Sequence, residues 1–83
     1  MRNKEYNLRI AKWTGNRDIH GFRVMTDFLH VSSNDYDYVW KKVKQKYSDI
    51  DIATGKIYFE DKDMRYGDWK PMEKFARRIK LGG

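Results

Sequence analysis

The chain has 83 residues and no cysteine, with 18 Lys+Arg against 12 Asp+Glu, a formal net charge of +6 and a pI near 9.6. A single domain of this size hides only roughly 60–65% of its unfolded surface, and neither a disulfide framework nor a Cys-based zinc site is available to reinforce it. No apolar run reaches signal-peptide or membrane-span length, so the expectation is one soluble, cytoplasmic domain (residues 1–83) with a polyanionic partner.

Thirteen aromatic residues (three Trp, six Tyr, four Phe) are expected to supply the core that the missing staples leave short. Dimerisation is a second source of stability, and a homodimer is expected.

Glu5–Trp13 alternates, with Tyr6, Leu8 and Ile10 on one face and Asn7, Arg9 and Ala11 on the other, which predicts a half-buried strand. The turn formers of Thr14–Asp18 are expected to close it. Phe22–Val31 reads as a second strand with Phe22, Val24, Thr26 and Phe28 on its inner face. Met25, Leu29 and the Ser pair that follows also allow a helical turn there.

Ser32–Tyr47 predicts a helix. Tyr36, Val39, Trp40, Val43 and Tyr47 fall at i, i+3, i+4, i+7 and i+11, one apolar stripe at helical spacing. Ser32 is the expected N-cap with Asp35 at N3, and the acids Asp35 and Asp37 precede the lysines as the helix dipole favours. Ile50 and Ile52, a Thr54-Gly55 turn, then Ile57 and Phe59 predict a hairpin. Asp61-Lys62-Asp63 turns the chain, and Met64-Arg65-Tyr66 offers a short further strand. Asp68 then caps a closing helix through Lys80, with Pro71 in its first turn and Met72, Phe75, Ala76 and Ile79 facing inward. The fold expected from this order is α+β: a small antiparallel sheet, β-β-α-β-β-(β)-α, with two helices packed on one face.

The two helices display nine basic side chains between Lys41 and Lys80. Lys41, Lys42, Lys44 and Lys46 on the first, and Lys74, Arg77, Arg78 and Lys80 on the second, are candidate phosphate contacts. An ordinary solvated face usually mixes charge signs, whereas the outer side of the first helix carries four lysines with no acid among them. On the open face of the sheet, Arg9, Trp13 and Tyr58 pair a cation with flat rings on which unstacked bases can lie. The same two aromatics serve equally as a cover for a small core or as a dimer contact. If bases stack there, single-stranded or looped RNA is favoured over duplex DNA, because no helix-turn-helix pattern is visible.

Two catalytic readings compete. Asp51 followed by Glu60-Asp61-Lys62 resembles the PD-(D/E)xK nuclease signature, in which the acids bind Mg²⁺, but the proline of that motif is absent. His20 or His30, with Arg17, Arg23 and Lys12, offers the acid, base and cations of a metal-free ribonuclease of the small bacterial-toxin kind. The bland alternative is two surface histidines. No cofactor and no metal site are expected.

By size and composition, a short Lys/Asp/Tyr-rich, cysteine-free chain resembles the small early proteins of large lytic phages. That resemblance implies an accessory protein that redirects host machinery or blocks host defence, such as an RNA-binding inhibitor of toxin–antitoxin ribonucleases. The leading expectation is therefore a non-enzymatic RNA-binding accessory protein. The rivals are an inhibitor whose basic face docks an acidic host or toxin protein, and a small ribonuclease. No membrane partner is expected, because the helical stripe looks like core and no second anchor accompanies it.

Overall fold

The alternating residues at the start of the chain lie at the centre of an antiparallel sheet in the computed structural model, which describes residues 5–62, 68–73 and 75. The elements are β1 (Tyr6–Arg17), β2 (Arg23–Ser33), α1 (Tyr36–Lys46), α2 (Asp49–Ala53), β3 (Ile57–Asp61) and β4 (Lys70–Pro71). The four strands run in the order β2-β1-β3-β4, every neighbouring pair antiparallel. The architecture is α+β, as the sequence pattern implies.

Strand β1 does not stop at Thr14. Gly15 takes a left-handed φ of +93°, and the register with β2 slips between Trp13 and Arg17, so the predicted turn residues become an irregularity inside a longer strand. The turn itself is Asp18–Phe22. Gly21 N donates to Asp18 O at 2.9 Å with Gly21 at φ +87°, while Asp18 Oδ1 accepts from the backbone N–H of His20 and of Phe22.

The inner face expected for the second strand is divided by a bulge. Ile10 pairs with Leu29 but Lys12 pairs with Thr26, leaving one extra residue in β2 at Asp27–Phe28, with Asp27 at φ +54°. Because side chains alternate with period two, this insertion switches the faces. Leu29 and Val31 pair with the core residues Ile10 and Leu8, while Phe28 lies on the opposite side against Arg9. Phe22, Val24 and Phe28 are exposed rather than buried.

Helix α1 begins later than predicted. Strand β2 continues through Ser33, and Asp35, not Ser32, is the N-cap, accepting from the N–H of Asp37 and Tyr38. The apolar stripe holds: Val39, Val43 and Tyr47 are buried, and Tyr36 and Trp40 pack against the same cluster. Ile50 and Ile52 belong to a helical turn and not to a hairpin strand. Ser48 Oγ accepts from Asp51 N and caps α2, which turns Ile52 to the core and leaves Ile50 72% exposed. A capping serine and two acids at the first turn outweigh two alternating isoleucines.

Pro71 lies in β4, paired with Tyr58, instead of the first turn of a helix; helical backbone starts at Met72. As an edge residue, Pro71 costs the ladder no donor. The strand expected at Met64–Tyr66 and the remainder of the closing helix lie outside the described residues.

The core joins Leu8 and Ile10 of β1, Val31 of β2, Val39 and Val43 of α1, Ile57 and Phe59 of β3, and Met72 and Phe75. Phe75 is its aromatic hub: its ring lies 5.4 Å from each of the rings of Tyr6, Tyr36 and Phe59 and 6.2 Å from Trp40. At the other end of α1, the Tyr47 hydroxyl donates toward the carbonyls of Asp27 (2.5 Å) and Ile10 (3.3 Å), closing the bulge from above.

Burial and the nearby Asp27 carboxylate raise the pKa of Tyr47 above the ordinary tyrosine value. A raised folded-state pKa stabilises the fold fully below that ordinary value, about 10, and the contribution is lost as pH rises above it. Tyr47→Phe is expected to cost about 1 kcal/mol in urea unfolding at neutral pH. It should also flatten the loss of stability above pH ~10; an alkaline limb identical to that of the unsubstituted protein would refute the Tyr47 assignment.

Candidate nucleic-acid interface

The lysines of α1 stand where the apolar stripe puts them, on the side away from the sheet. Lys41, Lys44 and Lys46 are exposed and Lys42 is half-buried. Lys42 Nζ lies 5.8 Å from the centre of the Tyr38 ring, and Lys46 Nζ lies 6.0 Å from that of Tyr47. None of the four forms an ion pair with a described residue, although Asp37 is one turn before Lys41. Tyr47 pins the last turn of α1 over the bulge, so Lys46 is held at the level where β1 and β2 leave the core.

Below that point is a cleft of about 550 Å³ lined in part by Lys12, Thr14, Thr26, Asp27, Thr54 and Lys56. Lys12 is bound to Asp51 at 3.0 Å. The hydrogen bond from Lys12, with further help from the Ser48 hydroxyl and the charges of Lys12 and Lys56, holds the Asp51 carboxyl below its ordinary pKa.

The opposite sheet face is not open. Arg9 and Glu60 are cross-strand partners, with Arg9 Nε donating to Glu60 Oε2 at 2.5 Å and Glu60 0% exposed. The guanidinium of Arg9 rests 5.4 Å from the centre of the Phe28 ring and 5.1 Å from that of Trp69. Further along the same face, Arg23 lies 4.7 Å from the Tyr58 ring and 5.2 Å from the Trp13 ring, and Arg17 lies 5.3 Å from Trp13. Trp13 and Tyr58 meet edge to face at 6.2 Å, and Trp13 Nε1 donates to Asn16 O. The result is a layer of arginines on aromatic rings.

Arg9, Trp13 and Tyr58 thus share one face, as the alternation requires, but they fill it themselves. Tyr58 is only 6% exposed and has no free ring face to offer a base, and Arg9 is committed to Glu60. The burial of Tyr58 fits the covering role that was the alternative for Trp13 and Tyr58, while Trp13 is half-buried. Lys74, Arg77, Arg78 and Lys80 lie outside the described residues. Arg17, Arg23 and Trp69 were not singled out as partners of Trp13 and Arg9. The signal available in sequence was a pair of arginines, Arg17 and Arg23, flanking a turn, hidden by ending the strand at Trp13, four residues early.

The nuclease arrangement is not assembled. Glu60 belongs to the Arg9 face, whereas Asp51 is bound to Lys12, which pairs with Ile57 on the core face. Among the described residues, no group of three His, Cys, Asp or Glu side chains could hold a metal ion. His20 sits at the hairpin tip beside Phe22, and His30 pairs with Arg9 ten positions along the chain. Seven residues of β2 separate Arg23, beside the turn that holds His20, from His30, roughly 23 Å at ~3.3 Å per strand residue, so the two histidines do not act together on one phosphate. Among the described residues, no helix is long and apolar enough to cross a membrane.

No protein-family model, curated protein or solved structure matches this chain.

Arg9→Met removes the guanidinium facing a fully buried carboxylate and is expected to cost about 3–5 kcal/mol in urea unfolding. The double variant Arg9→Met/Glu60→Leu should recover much of that loss. Equal destabilisation of single and double variants would show that the pair is not what holds this face.

Proposed function

We propose that this protein is a nucleic-acid-binding accessory protein, with RNA as its partner, that captures the phosphate backbone by charge and cleaves nothing. The observation that carries the reading is the set of four α1 lysines. They share one rigid helix and have no ion pair with a described residue, in a chain of net charge +6. An ammonium on a flexible stem is suited to a phosphate that arrives in variable geometry, and releasing counterions from the polymer drives binding without reading sequence. The separation of His20 from His30 speaks against a two-histidine acid–base pair. The burial of Tyr58 speaks for an interface away from the sheet, on α1 and the neighbouring exposed Lys56 of the cleft.

Titration with labelled single-stranded RNA, duplex RNA and duplex DNA across a range of salt tests this. If about five phosphates are neutralised, log K should fall against log salt with a slope of roughly −3 to −5. The variant carrying Lys41→Gln, Lys42→Gln, Lys44→Gln and Lys46→Gln should keep its fold and flatten that slope by about 3. An unchanged slope in the folded variant would reject the α1 surface. Shortened RNA on a denaturing gel would replace this reading with a ribonuclease.

A further inference from the structure

The β1–β2 hairpin continues past the sheet. The last backbone link from the β3 side reaches β1 at Trp13, whose N–H donates to Lys56 O, and every residue from Thr14 to Phe22 is exposed. The described structure measures 45 Å along its longest axis against 26 and 21 Å across. At the tip, two large apolar side chains face solvent: Ile19 is 95% exposed and Phe22 67%.

This tip is a built structure. Asp18 Oδ1 holds two backbone N–H groups, Asp18 N donates to Phe22 O, and Arg17 Nη1 donates to Gly21 O at 3.0 Å. Any polar residue satisfies the backbone of such a turn, so an isoleucine there is a cost to solvation without a gain in folding. Just behind it, Arg17 and Arg23 are direct cross-strand partners, a like-charge pair that opposes hairpin stability. Both guanidiniums are steadied against the Trp13 indole. The arm therefore ends in two apolar side chains with two positioned cations at its neck.

A partner that satisfies both features has negative charge outside and flat apolar surface within. A nucleic-acid duplex has this construction: apolar wedges enter between base steps while arginines hold the flanking phosphates. A membrane surface asks instead for a broad apolar face, and this tip offers two side chains among Asp18 and His20. We infer that the β1–β2 arm is a wedge for double-stranded nucleic acid, in which Ile19 and Phe22 press between the bases of a weakly stacked step and Arg17 and Arg23 take the phosphates on either side. This deepens the nucleic-acid reading and rests on it: α1 supplies capture and the arm supplies distortion.

Duplex RNA and duplex DNA carrying 2-aminopurine at a central pyrimidine–purine step, the kind that unstacks most easily, provide the test. Binding of the unsubstituted protein should raise the probe fluorescence several-fold. Ile19→Ser/Phe22→Ser, both changes at exposed positions, should keep the circular dichroism spectrum and the salt slope and lose the fluorescence rise. Arg17→Gln should reduce the slope by about 1. Duplex binding without a fluorescence rise, or a rise that survives the double substitution, overturns the wedge and leaves phosphate capture standing. No binding to any nucleic acid by folded protein overturns both. The wedge is equally overturned if the double substitution leaves the fluorescence rise intact but abolishes self-association in light scattering or flotation with phosphatidylserine vesicles.

Discussion

The β-bulge at Asp27, closed by the Tyr47 hydroxyl, is the constraint on which the remaining structure depends. One insertion in β2 changes which side chains face the helix, and the two carbonyls that Tyr47 reaches, of Ile10 and Asp27, lie on either side of it. Without the bulge, Phe28 would stay in register with Val24 and Thr26, and the alternation that places Leu29 and Val31 on the core would fail. The same hydroxyl fixes the end of α1 relative to the sheet. The position of the helical lysines follows from a packing contact, not from any interaction of their own.

Both faces of the central strand β3 are covered, and the two covers obey different physics. On one side, aliphatic and aromatic residues of α1 and β1, with Met72 and Phe75, exclude water in the usual way. On the other, arginines lie on Trp13, Tyr58, Phe28 and Trp69, and a buried carboxylate compensates one of them. A small chain with few aliphatic residues can close its second face this way, because a guanidinium is weakly hydrated and flat enough to pack as a ring. The basic residues accordingly divide their work. Arg9 is structural, Arg17 and Arg23 rest on Trp13 at the neck of the arm, and the α1 lysines, which are more strongly hydrated, remain at the surface.

This division gives the proposed interface its geometry. The α1 face is a set of mobile charges on a rigid base. The hairpin arm is a rigid support whose apolar tip has no role in the fold. The cleft with Lys12 and Lys56 lies at the base of the arm, near the end of α1 that Tyr47 pins. Charge that attracts and shape that intrudes are thus separable in the molecule, because each is held by contacts that the other does not share.

The amino-acid sequence by itself determined the α+β class, the first strand, and the stripe of Tyr36, Val39, Trp40, Val43 and Tyr47, because these are periodicities carried by near neighbours. It also determined the lysine face, which is simply the complement of that stripe. Only the tertiary structure decided the rest. The bulge that moved Phe28 across the sheet is invisible to alternation, since one inserted residue leaves composition and propensity unchanged. The length of β1 depended on β2 extending beside it through turn-forming residues. Ile50 and Ile52 became helical because a local cap competed with a period of two and won. Whether Arg9, Trp13 and Tyr58 were a docking surface or a cover depended on Phe28, Arg23 and Trp69 arriving from distant positions, and burial by distant residues is a property of the folded chain that no local pattern records.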